Sequence, residues 1–345
     1  MKRTDRFSIF EYLLFTAVTL GVLCLCICLG SVNVSLGDTL SVIGRAITCF
    51  FNGDPLPTGT NAAIILSVRI PRVLCVGLVG ASLSVTGAAM QGLLKNPLAD
   101  GSTLGVSSGA ALGAVIAIAF GLSVPALPFA GTMGMAMVFA FLSLLAILSL
   151  TYKLDHTLST NTIILMGVIF SMFVSSLMNI IIAFAPDHIQ HITFWTMGSL
   201  QGKNYVDVLI LFVALLVFGG AILLHGRELN AFAVGEENAR HIGVNVRRVR
   251  LTLLIAASGL IGVCVSVSGT IAFVGLVTPH MVRLLTGPNH RRLLPASLFG
   301  GAVFLMLADL IARTSFSPTE LPIGVVTSLI GAVVFLIIFC RRKGR

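Results

Sequence analysis

The chain has 345 residues, of which 56% are hydrophobic and 10% charged, against the roughly 25% charged residues of a soluble globular chain. So little polar surface cannot cover a water-soluble body of this size, which excludes an ordinary soluble domain. The formal net charge of +9 comes without a basic stripe long enough for a duplex, so the basic residues are read as topology signals and no nucleic acid is expected as a partner.

In lipid a spanning backbone must close its own hydrogen bonds, and the long apolar runs here do not alternate, so the expected class is all-α. In chain order, residues 12–30 form the first span, too long for the apolar part of a cleaved signal peptide. Residues 31–61 read as a polar connection. The second span, residues 73–94, carries Gly77, Gly80, Ala81, Ser82, Ser84, Gly87, Ala88 and Ala89, small residues that let helices approach closely. Residues 101–152 hold no charge and exceed one helix; Gly121, Pro125 and Pro128 divide them into spans 104–121 and 129–150. Spans 163–184 and 208–224 follow, and residues 225–250 form the second long polar connection. The 32 uncharged residues 251–282 are too many for one helix and too few for two full ones, and a turn near 266–269 is expected. Spans 293–308 and 322–340 complete the chain. The seven cysteines show no metal-ligand spacing and read as small packing residues. His188 and His191 lack a third ligand nearby and read as surface histidines, so no metal site is expected.

Charge resolves the count. With two helices in 251–282 the chain crosses about ten times and both termini are cytoplasmic. The inner side then holds Lys2, Arg3, Arg6, Lys95, Lys153, Arg227, Arg240, Arg247, Arg248, Arg250, Arg283, Arg291, Arg292, Arg341, Arg342, Lys343 and Arg345, which is 17 of the 22 basic residues. The outer side keeps Arg45, Arg69, Arg72, Lys203 and Arg313. This asymmetry obeys the positive-inside rule, and nine spans would place the basic tail outside. No polar connection is long enough to bury a core of its own, so residues 1–345 form a single transmembrane domain.

No predicted span has a charge at its centre, where an ion-coupled carrier or intramembrane enzyme places its titrating groups. Nor does the chain hold the G-x-x-x-x-G-K-[ST] phosphate loop: 198–204 is one residue short and lacks the hydroxyl after Lys203. The expectation is a passive pathway, not an enzyme, driven by a motor on another chain.

Three segments carry a resemblance. The first joins Arg69-Ile70-Pro71-Arg72, Gly87-Ala88-Ala89-Met90-Gln91, Lys95-Asn96-Pro97-Leu98-Ala99-Asp100 and Gly105-Val106-Ser107-Ser108-Gly109-Ala110. The second is Trp195-Thr196-Met197-Gly198-Ser199-Leu200. The third runs from Leu229-Asn230 through Gly235-Glu236-Glu237-Asn238-Ala239-Arg240, Gly243-Val244, Gly269, Phe273-Val274-Gly275-Leu276, Pro279-His280 and Arg283 to Asp309, Arg313 and Glu320-Leu321-Pro322-Ile323-Gly324-Val325-Val326. Together they resemble the FecCD/BtuC-like permease family of binding-protein-dependent ABC importers for iron-siderophores, haem and cobalamin. Two departures stand out: Gly101 replaces the family's usual Pro, and 331–335 lacks the usual Gly-x-Pro.

The resemblance implies a type II ABC importer permease in the bacterial cytoplasmic membrane, translocating iron(III)-siderophore complexes, with haem or cobalamin as the alternative cargo. It implies a cytoplasmic ATPase dimer carrying ATP and Mg, an extracytoplasmic substrate-binding protein, and a second permease copy or homologue; no cofactor is expected on this chain. Arg69, Arg72 and Arg313 would dock the binding protein through Arg–carboxylate pairs, although anchoring, or pairing of Arg313 with Asp309 or Glu320, is the competing reading. Residues 235–244 read as a short helix ending at Gly243, and Gly235, Glu236, Glu237, Ala239, Arg240 and Gly243 would couple to the ATPase. Asn96, Leu98, Thr160 and Asn161 would close the cytoplasmic gate; the competing reading is ordinary helix capping, by Ser159 or Thr160 at the fifth helix.

Overall fold

In the computed structural model, residues 7–32, 34–101, 104–122, 130–156, 159–316 and 319–343 are described, and among them the chain forms helices and no strand. Helix α1 (Ile9–Cys28) opens with a reciprocal cap: Ser8 Oγ accepts the Glu11 N–H at 3.2 Å, and Glu11 Oε2 accepts the Ser8 N–H at 2.8 Å. Helix α2 (Leu36–Asn52) lies where the sequence reading had only a polar connection. Asp38 and Arg45 interrupt its apolarity, so it fails a search for long uncharged runs. Its Leu36, Leu40, Ile47 and Phe50 nevertheless recur at helical spacing on an exposed face.

Helix α3 (Thr60–Leu93) is 34 residues long and starts well before the expected residue 73. The sequence offers Pro71 as a stop, since it lacks an N–H and crowds the preceding turn. The chain absorbs it by widening residues Ile64–Arg69 into a π-helical turn. In that register the carbonyl facing Pro71 is that of Leu66, and the Tyr205 hydroxyl donates to it at 2.5 Å.

The remaining helices are α4 (Val106–Ala119), α5 (Ala130–Leu154), α6 (Thr160–Phe184), the short α7 (Ile189–Thr196), α8 (Tyr205–Leu224), α9 (Gly226–Val234), α10 (Glu236–His241), α11 (Val246–Ser268), α12 (Val274–Thr286), α13 (His290–Thr314) and α14 (Ile323–Lys343). Every expected span is thus a helix; Pro125 and Pro128, which divide two of them, lie outside the described residues. Seven helices, α1, α3, α5, α6, α8, α11 and α13, are long and apolar enough to cross a bilayer, and α4 and α14 are shorter apolar helices.

Burial ranks the helices. In α11, 72% of the most apolar stretch is inside the protein, against 17% in α6 and 6% in α1. The centre is α3, clasped between α13 and α12. A Cβ on Gly80 would strike the Gly301 carbonyl, one on Gly301 would strike Gly80, and one on Gly87 would strike Gly275. These are backbone-to-backbone contacts that only glycine permits, and they account for the small residues of the second predicted span.

The break expected near 266–269 falls at 269–273. Gly269 leaves α11 at φ 68°, pressed on the Trp195 carbonyl, and Phe273 enters α12 at φ 69°. Non-helical backbone inside a membrane must find partners in protein. Here the Ser199 N–H donates to Ser268 O at 2.8 Å, and the Thr270 hydroxyl donates to the Thr196 carbonyl. Gly101, the departure from the family's proline, packs on Ile261, 2.9 Å from where a Cβ would meet its Cδ1.

Candidate functional site at the two ends of α3 and α13

The antiparallel pair α3 and α13 carries a distinct cluster at each end. Arg69, Arg72 and Arg313 meet at one of them. Because α3 begins at Thr60, Arg69 and Arg72 sit inside a continuous helix, not at its mouth. They are 4% and 8% exposed, and Arg313 is 2% exposed. Arg69 Nη1 donates to the carbonyls of Ile27 and Cys28 at the end of α1, both at 2.9 Å, and its other nitrogen reaches Val32 O. Arg72 donates to Asp309 at 2.9 and 3.2 Å and to Glu320 at 2.7 Å. Arg313 forms an ion pair with Asp309 at 3.2 Å and donates to Cys26 O.

Asp309 therefore serves two guanidinium groups at once, with its side chain 2% exposed. Burial would penalise each of these charges severely if unpaired, so the cluster holds together only because carboxylates and helix-end carbonyls occupy the donors. The sequence reading anticipated that Arg313 might pair internally; the partnership of Arg72 with both Asp309 and Glu320 it did not anticipate. Glu320, with 18% side-chain exposure, stands at the rim.

At the other end lie α9 and α10, joined at Gly235, whose φ of 137° is closed to most side chains. Residues 235–244 form the short helix expected, with Gly243 at φ 87° beyond it, and α9 before it was missed because it is short and carries Arg227 and Glu228. Two of the named residues face inward: Ala239 is fully buried, and Glu236 pairs with the buried Arg250. The outward face is Glu237, Arg240 and His241, together with Val234 and Ile242 at 73% and 72% exposure. The exposed apolar pair could have been found by noting that neither belongs to a span. On the same side Glu11 pairs with Arg292, tying α1 to α13.

The gate residues are split between two segments. Asn96 Oδ1 accepts the Leu98 N–H at 2.9 Å in a tight turn after Lys95, which has φ 49°, and Leu98 is left 52% exposed. At the start of α6, Asp155 Oδ2 accepts from the Ser159 N–H at 2.9 Å and from the Thr162 hydroxyl at 3.2 Å. Ser159 stands at the N-cap, where its carbonyl accepts the Ile163 N–H at 3.1 Å, but its side chain makes no capping bond to the helix backbone. Thr160 is half-buried and Asn161 exposed, and no hydrogen bond joins 160–161 to 96–98 among the described residues.

Residues 18–341 match the FecCD transport family. The chain is 43% identical over 337 residues to an uncharacterized ABC transporter permease protein, YvrB, of Bacillus subtilis, covering 96% of this chain and 93% of that one. It is 39% identical over 292 residues to the hemin transport system permease protein HmuU of Yersinia pestis, covering 83% and 86% of the two. A solved inward-facing structure of a metal-chelate type ABC transporter superposes with a TM-score of 0.83 at 30% identity, over 95% of this chain and 98% of the other. With its helices, its backbone-close α3–α13 pair and these relatives, the chain is a multi-pass membrane protein that belongs to the FecCD transport family of ABC importer permeases.

Proposed function

We propose that this chain, paired with a second copy or a homologous permease, forms the pathway by which a bacterial ATP-driven importer moves ferric siderophore complexes across the cytoplasmic membrane. About ten crossings with both termini cytoplasmic follow from the basic asymmetry. The observation that carries the reading is the α3–α13 pair. From Arg72 to Gly92 it spans about 30 Å at 1.5 Å per residue, close to the hydrocarbon thickness, and it joins a charged cluster at one end to an exposed helical segment at the other.

In this reading α10 enters the ATPase through Glu237, Arg240, His241 and Ile242, while Gly235 and Gly243 set its entry and exit. Glu236 and Ala239 hold it to the body. ATP and Mg reside on the ATPase dimer, and this chain binds no cofactor. The binding protein docks over Arg69, Arg72 and Arg313. Since these guanidinium groups are already occupied, a carboxylate of the partner displaces Glu320 and takes over its bond to Arg72 Nη1. Asn96, Leu98, Thr160 and Asn161 close the cytoplasmic end when two chains meet, short polar groups that pack when shut and hydrate when open. The thinly covered α6 and α14 supply the surface for the second permease.

A ferric chelate is the cargo carried over from the iron chelatin transport system permease protein of Helicobacter pylori, 39% identical over 318 residues, and haem import, the activity named for HmuU, is the second reading. An ion-coupled carrier is disfavoured because the buried charges Arg72, Asp309 and Arg313 are paired with one another. The test is uptake by proteoliposomes holding the chain, its ATPase and its binding protein, offered ferrichrome, ferric enterobactin, haem and cyanocobalamin in turn. ATP-dependent accumulation of a ferric siderophore is expected. Accumulation on an ion gradient without ATP, or of cyanocobalamin alone, contradicts the reading.

A further inference from the structure

We propose that Asn230 and Asn289 form an amide latch through which movement of α9 and α10 reaches the α3–α13 pair. The proposal rests on the coupling role given to α10 above. Asn230, on α9, uses both ends of its amide. Nδ2 donates to Asn289 Oδ1 at 2.8 Å; Oδ1 accepts the His290 backbone N–H at 2.8 Å and lies 3.0 Å from His290 Nδ1. Asn289 Oδ1 also accepts the Arg291 N–H at 3.0 Å. Backbone N–H groups only donate, so both amide orientations are fixed by the network. The first N–H groups of α13, which no intrahelical carbonyl reaches, are thus shared between its own cap residue and a residue 60 positions away.

His290 carries the contact onward. It is 6% exposed, and a Cβ on Gly92 would overlap its Nε2, so the imidazole is wedged between α9 on one edge and the α3 backbone on the other. A second anchor lies one helical turn earlier on α9, where Gly226 fits against Arg291 with 3.4 Å between a notional Cβ and the Arg291 Cα. Two anchors at i and i+4 on one helix fix its orientation as well as its position. With Leu229 fully buried between them, α9 cannot pivot without pulling on α13 and α3. Since both latch residues are neutral amides, the hold does not weaken with salt as an exposed ion pair would.

The test uses the full transporter with its ATPase in nanodiscs. A spin-labelled unnatural amino acid replaces exposed Thr314 on both permease copies, which avoids labelling the exposed Cys24 and Cys340. ATP with vanadate is expected to change the spacing between the two labels. In Asn230→Ala and Asn289→Ala the fraction of transporters reaching the new spacing falls about fivefold, the low end of measured allosteric couplings. The double variant loses less than the product of the two single losses, because both remove the Asn230–Asn289 bond. Asn230→Asp, which keeps the acceptor for His290 but sets a carboxylate oxygen against Asn289 Oδ1, gives a loss as large as that of Asn289→Ala and serves if the alanine variant does not assemble. Wild-type spacing change in the alanine variants, or in Asn230→Asp where Asn230→Ala does not assemble, or a loss in the double variant equal to that product, overturns the latch. Arg240→Glu on the exposed face of α10 separates the two ideas: normal ATPase association in that variant removes the coupling role of α10, whereas normal displacement in the asparagine variants removes the latch alone.

Discussion

The two ends of the α3–α13 pair solve the same problem, fastening a helix terminus to its neighbours, with opposite chemistry. At the Arg72 end the fastening is ionic: three guanidinium groups, two carboxylates and the carbonyls ending α1, nearly all out of water. At the His290 end the contact that joins α9 and α3 to α13 is neutral, two amides, an imidazole and a glycine, and only the Glu11–Arg292 pair that ties α1 to α13 is ionic. The ionic end is the stronger and the less forgiving, since loss of one member strands a buried charge, while loss of an amide strands a single donor or acceptor. A strong, closed cluster suits the end that holds three elements in register, and a weaker neutral one suits the end expected to move.

That contrast can be broken by substitution. Asp309→Ala strands Arg72 and Arg313 together and is expected to cost about 3–5 kcal/mol, seen as a large drop in thermal unfolding temperature of the solubilised protein. Asn289→Ala, at the other end, is expected to cost about 1 kcal/mol, and equal losses for the two would erase the distinction between the ends. Between them, Gly80→Val drives a side chain into the Gly301 carbonyl and is expected to cost about 1–3 kcal/mol; an unchanged unfolding temperature would mean that the pair is not in backbone contact. Tyr205→Phe removes the donor that serves Leu66 O beside Pro71, at about 1 kcal/mol, measurable in the same assay. The smallest stability effect belongs to Arg240→Glu on the exposed face of α10, within about 0.5 kcal/mol, yet co-purification of the ATPase is expected to fail in it.

Much of this architecture was readable in the residues. Continuous apolar runs located the spans because lipid permits little else, and the 251–282 run predicted a break that Gly269 and Phe273 deliver. Gly235 and Gly243 framed α10 correctly. What escaped has physical reasons. Helix α2 is amphipathic, and its charges hide it from a search for uncharged length. Arg69 and Arg72 end the uncharged run before residue 73, and the π-helical turn at Ile64–Arg69, a compensation with no sequence signature, carries the helix through Pro71. That one misplacement turned Arg69 and Arg72 from mouth residues into interior ones. The carboxylate that Arg72 shares with Arg313, Asp309, lies 237 positions from Arg72. Ala239 was placed on the contact face although its size suits a buried seat, which its full burial now gives it. The latch joins the Leu229-Asn230 and Asn289-His290 segments, which nothing in their spacing connects.

The central claim is that α9, α10, α3 and α13 move as one body. It is tested most directly by the distance within a single chain between spin labels replacing exposed Ala233 on α9 and Thr314 at the end of α13, with labelled chains diluted by unlabelled ones. The distance is predicted to hold within about 2 Å between the nucleotide-free and ATP–vanadate states. A change of about 5 Å, one helical turn, would show the coupling segment sliding past the pair and contradict the account.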